Sequence, residues 1–84
     1  MSESHNNNYP QMLKIAGLPD QQMKCLALLA SGFTVKKIAH QLNLSIRTVE
    51  HYISHIRKKT ACRSSLELVC IYYQYIIHFL TKNL

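Results

Sequence analysis

Apolar residues recur at a helical period through four stretches of the chain, with polar residues filling the positions between. Over residues 20–31, Met23, Leu26, Ala27 and Ala30 return every three or four places, and Cys25, Leu28 and Leu29 widen the stripe. Pro19 and Asp20 suit a helix start, and Gly32 supplies the left-handed residue that stops it. Val35, Ile38, Ala39 and Leu42 repeat the pattern behind a Thr34 cap, leaving Lys36, Lys37, His40 and Gln41 outside. A third stretch, residues 45–59 with Ser45 as its cap, has two opposed faces. Ile46, Val49, Ile53 and Ile56 stack on one; Arg47, His51, Ser54 and Lys58 point the other way. Asn43, which tolerates a positive φ, sits in the short connection between these two helices. Helix, tight turn and second amphipathic helix are the sequence form of a helix-turn-helix.

The fourth stretch, residues 65–82, is the most apolar. Ser64 and Glu67 form a capping box ahead of it. Leu66, Val69, Tyr73, Ile76, Ile77 and Leu80 are expected to face the core. That leaves Leu68, Ile71, Tyr72, Tyr75 and Phe79 on the opposite side as the expected dimer interface, because a helix apolar on two faces is buried on two faces. Residues 1–17 open polar and asparagine-rich, and they are expected to form a flexible arm in which Met12 to Ile15 at most make a short docked turn. Residues 18–84 form the single domain, an all-α fold of four helices.

Composition sharpens this picture through the placement of charge. The net charge of +6 falls wholly within residues 20–63, where eight cations face only Asp20 and Glu50, so the chain carries a localised electrostatic footprint. Three cysteines, an odd number with no paired spacing, suggest a reducing, cytoplasmic compartment. The longest apolar run is broken by Gln74 and His78 and is too short for a bilayer span, so no membrane partner is expected. There is no glycine-rich phosphate loop, no paired carboxylates and no nucleophile set beside a base, so neither catalysis nor a cofactor is expected. His51 and His55 are one helical turn apart, but nothing nearby in sequence supplies further ligands, so no metal site is expected either.

The segments LPDQQMKCLALLASGFTVKKIAHQLNLS and TVEHYISHIRKK, followed by R-x-x-L-E-L-V, resemble the LuxR-type, or GerE-like, helix-turn-helix domain of bacterial regulators. The resemblance covers about 50 residues. It implies four helices, with the third in the major groove of double-stranded DNA and the fourth pairing two subunits of a homodimer. Carried across by position, the base-reading sites fall on Glu50, His51 and Ser54, while Thr48, the helix termini (Ser45 among them) and the surrounding cations hold phosphates. There are departures from the family pattern. Pro19, Asp20, Gln21 and Gln22 replace its Thr-x-Arg-Glu, Tyr52 replaces a histidine, and Thr60, Ala61 and Cys62 replace its Leu-Gly-Val.

The residues themselves add to that assignment. Arg47 lies in the first turn of the recognition helix, where its planar fork suits a guanine edge or a phosphate. Lys36, Lys37, Arg57, Lys58 and Lys59 flank the same surface as phosphate contacts. Glu50, an acid facing a polyanion, costs binding unless it accepts from a cytosine amine, so it excludes wrong sequences as much as it selects right ones; the alternative is a solvent-exposed acid or a helix partner of Ser54. The expected function is therefore a dimeric, sequence-specific transcription regulator. Two alternatives use the same elements: an interaction module or anti-regulator that docks through its apolar last helix, and a promoter-recognition module resembling sigma-factor region four. The first would take a second regulator as partner and the second RNA polymerase.

Overall fold

A computed structural model of the chain describes residues 8–82. These residues form five α-helices: α1 (Asn8–Ile15), α2 (Asp20–Ala30), α3 (Val35–Leu42), α4 (Ile46–Thr60) and α5 (Ser65–Lys82). The last four are the helices predicted from periodicity. Their starts follow from capping. Thr34 Oγ1 accepts a hydrogen bond from the Lys37 amide at 3.2 Å, and Ser45 Oγ accepts from the Thr48 amide at 3.0 Å. At α5 the Glu67 amide donates to Ser64 Oγ, while the Glu67 carboxylate reaches back to the Arg63 amide, one residue earlier than in the standard capping box.

Three helices stop by the same device. Gly32, Asn43 and Ala61 each adopt a positive φ, and the following amides bond back to Leu28, Ala39 and Arg57 respectively. Asn43 thus fills the role its side chain suggested. Ala61 does so without glycine's freedom, at a φ of 59°.

The core takes side chains from every helix: Ile15, Leu26, Ile38, Val49, Ile56, Leu68 and Ile71 are essentially without solvent contact. Burying each contributes about 1.5–3 kcal/mol of hydrophobic free energy before entropy is counted. Thr60 is buried too, with its hydroxyl satisfied by the Ile56 carbonyl at 2.8 Å.

Three sequence expectations need correction. First, the arm expected over residues 1–17 is helical from Asn8, and Met12 and Ile15 are buried; α1 packs on α5 and α4, so the domain has five helices where the sequence suggested four. Residues 1–7 lie outside the described part. The signal was the Met12, Leu13, Ile15 patch, too short to show a period of its own.

Second, the two faces of α5 are exchanged. Leu68 and Ile71, expected at a dimer interface, are core residues, and Tyr72 and Tyr75 pack against them; Leu66, Tyr73, Ile77 and Leu80 are 73, 46, 60 and 59% exposed. Phe79 is exposed as expected and stacks on Tyr75. A helix apolar all round does not reveal which side its own chain covers. Here α1, α2 and α4 all pack on α5, and Leu68 and Ile71 are the residues of α5 that become buried. Third, Ile46, assigned to the buried stripe of α4, is the first residue of that helix and is 46% exposed.

Candidate nucleic-acid interface

The residues with the strongest claim on DNA sit on α4, and its register is fixed from behind. Val49, Ile53, Ile56 and Thr60 point into the core, with Tyr52 at its edge. Residues spaced three and four apart on the opposite side must then emerge together. Arg47, His51, Ser54 and Lys58 are all exposed along that line, with Glu50 and His55 exposed beside them. At the amino end, Ser45 uses its hydroxyl twice: it accepts from the Thr48 amide and donates to Thr48 Oγ1 at 2.9 Å. The half-buried Thr48 side chain is thereby held in place. The free amides of the first turn carry the positive end of the helix dipole, which suits a phosphate.

Lys36 and Lys37 emerge from α3 and, with Phe33, Thr34, His40 and Gln41, line a shallow groove on the outer side of that helix. His40 and Gln41 were visible in the sequence as polar positions, though not as part of a surface feature. Arg47, Lys36, Lys37 and Lys58 have no acidic partner among the described residues, so their charge is available to an external anion. The ion pair Lys24–Asp20, at 3.3 Å, lies on α2 away from this stripe and is well exposed.

Two of the predicted phosphate contacts are engaged elsewhere. Arg57 is half-buried; its guanidinium turns back so that Nη2 donates to the Arg63 carbonyl, and Nε is buried without a hydrogen-bond partner. Lys59 is half-buried with Nζ donating to the Gly17 carbonyl at 3.2 Å. On the helical wheel both lie off the stripe of Arg47 and Lys58, so charge counting alone overstates the interface. Among the described residues, no group of three or more histidine, cysteine or acidic side chains gathers where a metal could bind. No helix is long and apolar enough to cross a membrane.

The sequence model described as "Bacterial regulatory proteins, luxR family" matches residues 16–72, from just before α2 into α5. The chain belongs to the luxR family. Its α3 and α4 are the helix-turn-helix of that DNA-binding regulatory family, and α1 with the last turns of α5 lies outside the matched part. Similar proteins carry regulatory names. The probable transcriptional regulator ycf29 of Cyanophora paradoxa is 46% identical over 57 residues, covering 68% of this luxR-family chain and 27% of the relative. The response regulator Rre1 of Synechocystis is 40% identical over 60 residues, 71% of this chain and 26% of the relative. The oxygen regulatory protein NreC of Staphylococcus aureus is 38% identical over 52 residues, 62% and 24% of the two chains. The chain thus spans about a quarter of the length of the curated relatives it matches. No solved structure gives a significant match to it.

Proposed function

We propose that this chain regulates transcription by binding a sequence-specific, two-fold-related site in double-stranded DNA as a homodimer, with α4 in the major groove. The observation that carries the reading is the unpaired cationic stripe of Arg47 and Lys58 with His51 and Ser54 between them, standing on a helix whose other face is locked in the core. The family assignment and the regulatory names of the relatives support it. Arg47, Glu50, His51 and Ser54 are the proposed base contacts; Ser45, Thr48, Lys36, Lys37 and Lys58 are the proposed phosphate contacts. Arg57 and Lys59 serve the fold in the free protein and drop to a secondary role.

Support for pairing comes from the outward face of α5. Leu66, Cys70, Tyr73, Ile77 and Leu80 follow one another at intervals of four, three, four and three, and all are exposed. That is the spacing of a two-helix seam, uncharged throughout, which a second copy of the same helix would match. Two recognition helices so paired would need to reach successive major grooves about 34–36 Å apart.

Selection of bound duplexes from a random pool at physiological salt tests the whole reading, and should return a symmetric motif. Lys58→Ala should weaken binding to all sequences alike, whereas Glu50→Ala or His51→Ala should change which sequences are recovered. Recovery of no preferred duplex, with Ile77→Glu abolishing capture of another regulator, would favour docking through α5 instead.

A further inference from the structure

We infer that α1 is a clamp on the recognition helix, and that Gln11 is the positioning residue through which it acts. The inference rests on the DNA-binding role proposed for α4. The Gln11 side-chain amide donates to the Thr60 carbonyl at 2.8 Å and to the Ala61 carbonyl at 3.3 Å, across nearly 50 residues of sequence. Those two carbonyls belong to the last turn and cap of α4, where intrahelical donors have run out. A second tie runs the other way, from Lys59 Nζ to the Gly17 carbonyl just after α1. Between them Met12 and Ile15 are buried against the core, so α1 has its own anchorage and does not hang from the hydrogen bonds.

The mechanical consequence follows from length. A helix of 15 residues is about 22 Å long, so a pivot of ~10° about one end moves the other by ~4 Å, more than a hydrogen bond to a base tolerates. The amino end of α4 is set by the turn from α3, where the Leu44 amide bonds to the Ala39 carbonyl at 2.8 Å. The carboxyl end is held from behind by the buried Ile56 and Thr60 and, at its last carbonyls, by Gln11. Fixing both ends fixes the angle at which Arg47, His51, Ser54 and Lys58 are presented. Gln11 and the rest of α1 lie outside the part matched by the luxR family, whereas the carbonyls that Gln11 holds lie inside it.

The test uses the full chain and three variants. Gln11→Ala removes both donors, Gln11→Glu replaces them with a carboxylate facing carbonyls, and Gln11→Lys keeps a donor over the negative end of the helix. Hydrogen exchange of the free protein is read at the amides of Thr60, Ala61 and Cys62, with Leu26 as an internal reference. Gln11→Ala and Gln11→Glu should speed exchange at the α4 end about tenfold while leaving Leu26 unchanged, and Gln11→Lys should restore slow exchange. On a selected duplex, the first two variants should bind several-fold more weakly with the same dependence on salt, because no phosphate contact is lost.

Unchanged exchange at residues 60–62 in Gln11→Glu would overturn the clamp. So would a salt slope reduced by about 1 in Gln11→Ala, which would make Gln11's neighbourhood a direct phosphate contact. If the wild-type chain bound no duplex, the DNA reading would fall, and the exchange result would still decide whether α1 holds α4.

Discussion

Ala61 holds a backbone conformation that costs a residue with a Cβ about 1–2 kcal/mol, since its φ of 59° lies in the left-handed region. Family members of the LuxR type carry glycine at this point, so the present chain carries a strain that one substitution should remove. Ala61→Gly is expected to raise stability by about 0.5–1 kcal/mol in denaturant unfolding, part of the relief being offset by the greater freedom of glycine in the unfolded chain. A second residue-scale expectation separates neighbours of equal charge. Lys58 is exposed on the stripe, whereas Lys59 is tied to the Gly17 carbonyl. Lys58→Ala should lower the salt slope of DNA binding by about 1, and Lys59→Ala should lower it by clearly less. Equal slopes for both variants would mean that the Lys59 tie is released on DNA.

At the scale of elements, α2 to α4 were legible because their apolar stripes are clean and their caps are conventional: Thr34, Ser45, Gly32 and Asn43 each do in the structure what their chemistry suggests. The exposed stripe of α4 was legible for the same reason, since fixing Val49, Ile53 and Ile56 inward leaves Arg47, His51, Ser54 and Lys58 no other direction. Two things escaped. One is α1, whose eight residues offer fewer than three turns of pattern and which is held by contacts from far along the chain. The other is the phase of α5, where apolar residues occur on both faces and the packing of α1, α2 and α4 tells inside from outside. The two misreadings are related, because the helix the sequence did not reveal is one of those that pack on α5. Ile15→Ala should accordingly destabilise the whole domain by about 2–4 kcal/mol, a loss expected of a core position and not of an arm, measurable by urea titration.

For the molecule as a whole, pH provides a test of how completely the five helices exclude water. Burial pushes the Cys25 thiol above its ordinary value of 9.0, does the same to Cys62, and raises the Tyr72 phenol above 10.0. In each case the folded state holds its proton more tightly than the unfolded chain does. Stability is therefore level below the unfolded values and falls once pH passes them, as the unfolded chain ionises first. Thermal melts from about pH 8 to about pH 10.5 should show a falling midpoint, and Cys25→Ala, though less stable at neutral pH, should show a shallower fall. A midpoint constant across that range would mean that the three groups reach solvent in the native state.

The phenol of Tyr73 donates to the Ala30 carbonyl at 2.6 Å, although its ring also lies on the outward seam of α5. One side chain therefore joins the surface proposed for a second copy to the terminus of α2, two residues before the Gly32 bend that launches α3. In this chain, the face proposed for pairing and the end of α2 are joined through a single side chain.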